Sequence, residues 1–212
     1  GSLVYANTLP KPKSAFFNQG SWAGLADWES ELAPHYDTAW KMLGASVNPV
    51  LAESDRAMQK LAEQIGKAEH FGPTTAAVYF VEPDVTVKDP YFDGKGPDRT
   101  GCINCGACMT GCRHNAKNTL DKNYLHLAQL LGAEISAENE VTSIKPLGEN
   151  GVNGYEISSR KSTSYFSRIQ TVKAGGVLFS GGVMGTIPFL LKLKETSLPG
   201  LSSRVGHLIR TN

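Results

Sequence analysis

The chain has 212 residues, enough for one large domain or two small ones, and its 41% hydrophobic content can support a core. A net charge of +1 with 19% charged residues argues against a nucleic-acid partner, which would need a clustered basic face. No apolar run reaches the length of a membrane span; the longest, at 175–183 and 187–191, both fall short.

Residues 1–20 are turn-rich, with Pro10 and Pro12, and read as a short strand or loop leaving a buried site. Two helices are expected at 22–32 and 34–43, with Pro34 in the first turn of the second. Trp22, Trp28 and Trp40 all fall here; they anchor helix packing or line an apolar cavity. Ser54 suits the N-cap of a scaffold helix running to about residue 69, with Met58, Leu61, Ala62 and Ile65 on one face. Residues 75–82, β-branched and aromatic, read as a strand that 85–87 continue. A loop of Gly, Pro and Asp at 89–100 then delivers the chain to its cysteines.

Every cysteine lies within eleven residues. Cys102, Cys105, Cys108 and Cys112 are spaced C-x2-C-x2-C-x3-C, the run that bacterial ferredoxins use for iron–sulfur clusters. Two residues between thiols let a turning backbone aim successive sulfurs at one centre, and Gly101, Gly106 and Gly111 are expected to supply the positive φ that such a turn needs. Arg113, His114 and Lys117 add positive charge that favours thiolates. A 4Fe-4S cluster is the reading the spacing favours. Structural zinc remains open, although zinc knuckles usually come as two separated C-x2-C pairs. Internal disulfides, strained at these spacings, and empty reduced thiols also remain open. Arg113 stands where the ferredoxin run has proline, and no second cysteine run exists, so a whole ferredoxin domain is excluded.

Beyond the cysteines, Leu120, Tyr124, Leu127 and Leu131 fall at helical spacing, with Gly132 as terminator. The character then turns to strand at 134–138, 141–147, 155–160 and 165–172, an antiparallel meander with a turn at 148–151. Residues 175–182 read as a buried strand breaking into glycines before a helix at about 184–194. Gly181 and Gly182 at a helix start suit either close approach to a phosphate or tight strand-to-helix packing. His35, His70, His114, His126 and His207 show no pairing that marks a catalytic base, and only His114 sits beside the cysteines. Asp121 and Lys122 are expected to fix a helix start and an ion pair.

Four blocks together resemble a glucose-methanol-choline family flavoprotein of the bacterial cholesterol oxidase-like branch. Gly1-Ser2-Leu3-Val4, with Pro10-Lys11 and Phe16-Phe17, is similar to the family's Gly-Gly-Gly-Ser-Leu-Val segment, which passes the flavin and descends to the substrate domain. Residues 117–125, KNTLDKNYL, resemble Lys-Gln-Ser-Leu-Asp-Lys-Thr-Tyr-Leu of that branch. Residues 141–144 resemble the strand whose backbone holds the adenine, and 178–201 resemble the Leu-Gly-Ala-Gly-Ser-Leu-Gly-Ser stretch with its helix and Leu-Pro loop. Tyr5-Ala6-Asn7 replaces the branch's Asn-Gly-Gly, and the cysteine run has no counterpart in it.

The resemblance implies an α+β/α/β architecture: a partial flavoprotein fold with an incomplete Rossmann-like FAD domain, an antiparallel meander and part of the substrate domain. Its expected segments are a flavin-proximal stretch at 1–20, substrate domain at 21–100, cysteine loop and helix at 101–132, and FAD-domain meander, strand and helix at 133–212. Gly1, Ser2, Leu3, Val4, Asn7, Val141, Gly181 and Gly182 are the implied FAD contacts; the cysteine spacing, not the resemblance, makes Cys102, Cys105, Cys108 and Cys112 the expected metal ligands. The family's Gly-x-Gly-x-x-Gly strand is expected before residue 1, and its catalytic histidine and that residue's partner after residue 212, so no catalytic residue is assigned within the chain. The implied activity is that of a portion of an FAD-dependent alcohol dehydrogenase or oxidase for a sterol-like or other lipophilic alcohol. Electrons are expected to leave through an iron–sulfur cluster to an acceptor protein, in the cytoplasm. A zinc-stabilised binding or assembly module, and one subunit of a split flavoprotein completed by a second polypeptide, are the other readings.

Overall fold

The computed structural model describes residues 6–166 and 168–209, arranged as two compact units, Gly1–Glu134 and Ile135–Asn212. In the first unit everything converges on residues 75–80. Ala76, Ala77 and Val78 are buried, and their small side chains let other segments come close. Of the strand expected at 75–82 only Thr75–Ala76 is regular, with Val78 in an isolated bridge to Lys117, yet the N–H and C=O groups of residues 75, 77 and 79 still serve one edge. Along that edge Leu9 N donates to Thr75 O, Ala77 N to Asn7 O, Asn118 N to Ala77 O, Tyr79 N to Ala116 O, and Cys102 N to Tyr79 O. Residues from the start of the chain and from both ends of the cysteine loop are thereby lined up one after another. The opposite edge takes β1 (Ser46–Val47), antiparallel to β2 (Thr75–Ala76), and Ser46 Oγ donates to Val78 O. Ala76, Val78 and Ala116 form the apolar cluster, with Phe80, Cys102 and Cys112 packed against it.

A second small antiparallel pair, β3 (Thr86–Val87) with β4 (Arg99–Thr100), closes the loop that leads to the cysteines. The helices differ from the periodicity in instructive ways. In place of two helices at 22–32 and 34–43 there is one, α2 (Trp28–Met42), with Pro34 inside it. Asp27 caps it by accepting from Ser30 N, and residues 21–26 are held as turns in which Trp22 Nε1 donates to Phe16 O and Trp28 Nε1 to Trp22 O. Helix α1 (Ser14–Phe17) precedes it, and the buried Phe17 ring meets Tyr36 edge to face. Helix α3 (Glu53–Gln64) begins with Asp55 accepting from Ala52 N, so Ser54 is not the cap; its Met58 and Leu61, with Ile65 just beyond its end, are exposed. The helix expected after the cysteines is a turn at Leu120–Lys122 followed by α4 (Tyr124–Leu130), divided by buried Asn123, whose side chain accepts from Tyr124 N.

The second unit is the meander β5 (Asn139–Pro146), β6 (Tyr155–Lys161) and β7 (Ile169–Ala174), with α5 (Val183–Glu195). Register pairs Ile144 with Ile157 and Val141 with Ser159, with a bulge between Val141 and Ser143. Ile144 and Leu193 are buried, and Ser197 Oγ just beyond α5 donates to Ile144 O. Two expected strands are absent. Residues 134–138 form no strand, and Glu138 takes a positive φ before β5 starts. Residues 175–182 form none either: they pair with no strand of the meander, and Leu178 is 89% exposed. The last meander strand starts four residues later than expected, leaving Tyr165 and Phe166 exposed. No described helix is long and apolar enough to cross a membrane.

Candidate metal centre

Cys102, Cys105, Cys108 and Cys112 all line one hollow, together with Val78, Ile103, Gly106, Ala107, His114, Ala116 and Lys117. The backbone turns that achieve this are specific. Gly106 and Gly111 have the expected positive φ, joined by Asn104 and Asn115. Gly101 does not; it is needed for space, since a Cβ there would sit 2.0 Å from the Glu82 carbonyl oxygen. None of the cysteines is disulfide-bonded. The hollow measures about 20 Å³, and its outer wall from Ile103 to Gly106 is exposed, so that wall is the side able to yield to a group larger than water. Among the described residues, no three His, Cys, Asp or Glu side chains are gathered as a site for a single metal ion.

Three of the sulfurs accept N–H donors. Asn104 N reaches Cys102 Sγ at 3.4 Å, Lys117 N reaches Cys112 Sγ at 3.5 Å, and Asn7 Nδ2 reaches Cys108 Sγ at 3.3 Å. The thiols are consequently unequal. Burial pushes Cys102 up, and the neighbouring Cys108, Cys112 and Cys105 reinforce this against the Asn104 N–H. Burial also opposes ionisation of Cys112, but N–H donors from Lys117, Ala116 and His114, with the charge of Arg99, outweigh it and hold that thiol below its ordinary value.

Two buried cations stand behind the loop. Arg99 donates through Nη2 to Lys117 O at 2.9 Å and through Nη1 to Asn115 Oδ1 at 3.3 Å, while its Nε has no hydrogen-bond partner. It takes part in none of the ion pairs formed among the described residues. Lys117 Nζ donates to Cys108 O at 2.9 Å, and burial lowers its pKa against the opposing pull of Cys108 and Cys112. The buried charge of Arg99, which is in none of those ion pairs, is costly without a counter-charge. Four thiolates around a dipositive core carry net negative charge, so the donor set and these cations fit a thiolate-bound metal centre. Of the basic residues read from the sequence, Lys117 and His114 line the hollow and Arg113 is exposed away from it.

The implied FAD contacts divide between the units. Gly1, Ser2, Leu3 and Val4 lie outside the described residues. Asn7 is at the cysteine loop. In the second unit, Val141 and Gly181 line one groove of about 510 Å³ with Ile144, Phe179, Gly185 and Phe189. Gly182 is not in its wall but caps α5 with φ 77° and ψ 160°, a conformation open to little except glycine.

The chain is similar throughout to proteins named cholesterol oxidase. It is 43% identical over 220 aligned positions to one from Acinetobacter baumannii, and 42% identical over 219 to one from Mycobacterium tuberculosis strain CDC 1551, each alignment taking in all of this chain. A third, from Mycobacterium tuberculosis strain H37Rv, is likewise 42% identical. The chain spans only 37–40% of the length of these relatives. No family model matches it, and neither does any solved structure.

Arg99 and the sulfur contact of Asn7 were not among the residues the sequence marked for the metal site. Arg99 lies near the end of the Gly-, Pro- and Asp-rich loop, where no motif sets it apart. Asn7 meets Cys108 across 101 residues, a separation that leaves no local pattern.

Proposed function

We propose that the chain is the portion of an FAD-dependent oxidoreductase that carries a 4Fe-4S cluster, the parent acting on the CH–OH group of a sterol or another lipophilic alcohol. The observation that carries this reading is the convergence of all four cysteines on one hollow backed by buried Arg99 and Lys117, in a chain similar throughout to proteins named cholesterol oxidase. Bound flavin supplies two-electron acceptance from an alcohol carbon, and a cluster supplies one-electron transfer.

The chain's own residues do three things in this account. Cys102, Cys105, Cys108 and Cys112 provide the thiolate ligands, and Arg99 and Lys117 offset the charge those ligands bring. Val141, Gly181 and Gly182 form the groove and helix start where the adenine end of FAD is held, glycine being required where backbone approaches a phosphate. The segment ending in Asn7, whose beginning resembles the flavin-passing stretch of glucose-methanol-choline enzymes, ends against Cys108. This brings a flavin-side segment and a metal ligand into contact and favours an electron exit other than oxygen. An acceptor protein completes that exit.

The test is turnover of the full-length protein with a sterol, comparing oxygen with an artificial one-electron acceptor. Turnover at least tenfold faster with the one-electron acceptor is expected. Equal rates would make it an oxidase whose cysteine loop is structural, zinc being the metal that fits four thiolates in that role.

A further inference from the structure

We propose that the Asn7 carboxamide sets the reduction potential of the metal centre by donating to Cys108 Sγ, making Asn7 a positioning and tuning residue and not only a turn residue near the chain's start. The inference rests on the cluster reading above and asks a separate question of it. Asn7 Nδ2 lies 3.3 Å from Cys108 Sγ, within range for a hydrogen bond to sulfur. The contact is held from both sides. Asn7 O accepts from Ala77 N at 2.7 Å and Leu9 N donates to Thr75 O at 2.9 Å, while Thr8 pairs with Ala76, so the backbone around Asn7 is locked to the spine of the unit. Cys108 is fixed by Lys117 Nζ on its carbonyl, and Lys117 is itself paired with Val78 of the same spine.

Asn7 differs from the other sulfur donors, which are backbone N–H groups. Asn104 N and Lys117 N are backbone groups of the loop itself and present whatever the side chain. Asn7 brings a side-chain donor from a distant segment, and substitution can remove it. Hydrogen bonds to ligand sulfurs are among the features that set cluster potentials. A donor's positive end stabilises the added negative charge of the reduced form more than the oxidised form, so losing it makes reduction harder.

The experiment measures iron, acid-labile sulfide and the reduction midpoint, followed by electron paramagnetic resonance, on anaerobically purified wild type, Asn7→Leu and Asn7→Gln. Leucine keeps the approximate size without a donor; glutamine keeps the carboxamide. Asn7→Leu is expected to retain iron and shift the midpoint negative by about a tenfold change in the reduction equilibrium, ~59 mV for one electron, and Asn7→Gln to recover part of that shift. Loss of iron from Asn7→Leu alone, with Asn7→Gln retaining the wild-type signal, also supports the donor role. A wild-type midpoint in Asn7→Leu, or loss of iron from both variants, overturns it, the latter assigning Asn7 to packing. Wild type without iron and sulfide would overturn the cluster reading itself, and this inference with it.

Discussion

The Asp89 carboxylate accepts from the backbone N–H groups of Tyr91, Phe92, Gly94 and Gly96, turning a Gly- and Pro-rich stretch into a fixed loop ahead of the cysteines. Burial raises its pKa, but these four donors prevail and hold it below its ordinary value. A carboxyl with a lowered folded-state pKa adds stability above its unfolded value of about 4, and that contribution is lost as pH falls through the folded value. Asp89→Asn should therefore cost about 1–3 kcal/mol at pH 7. In urea melts, the difference from wild type should shrink progressively below about pH 4; a constant difference down to pH 2 would show that the ionised carboxylate does not carry the effect. Gly101 makes a steric demand in place of an electrostatic one. A methyl group there meets the Glu82 carbonyl, so Gly101→Ala should destabilise by about 1–3 kcal/mol and lower metal content. Full metal loading with an unchanged melt would refute the close approach.

Among the elements, the meander is where sequence and structure agree best. Its strand-like composition and the Gly148–Gly151 turn mark β5 and β6 to within two residues, because a turn residue at each break punctuates the chain where the strands end. Ile144, paired with Ile157 and bonded through its carbonyl to Ser197, is the buried centre of that unit. Ile144→Ala should cost about 2–5 kcal/mol while leaving iron per chain unchanged, since the cysteines belong to the other unit; iron loss in step with unfolding of the meander would contradict that independence. The failures are as physical. Residues 175–182 have the composition of a buried strand, yet such a strand exists only between neighbours, and composition does not report whether they are there. Pro34 suits a first helical turn, but Asp27 supplies a better start a full turn and more earlier. The cysteine spacing announced a loop that gathers its four thiols at one hollow, and Gly106 and Gly111 its turns. Lys117 was legible beside the cysteines; Arg99 and the Asn7 donor meet the loop only through contacts between segments far apart in sequence, which no local pattern records.

At the scale of the whole molecule, the first unit is built of short pairings around a polar interior. Arg99, Lys117, Asn118 and Asn123 are buried beside a handful of small apolar residues. Such a unit has little apolar area to stabilise it, and a bound metal would add its binding free energy to folding. The central claim is accordingly that the four cysteines hold a cluster that both orders this unit and carries electrons. The measurement that tests it most directly is iron, acid-labile sulfide and zinc per chain on anaerobically purified protein, with a visible spectrum of the same sample before and after reductant. The account predicts about four irons and four sulfides per chain, negligible zinc, and broad absorbance that bleaches on reduction. Stoichiometric zinc without sulfide would contradict it and leave the loop a structural clasp.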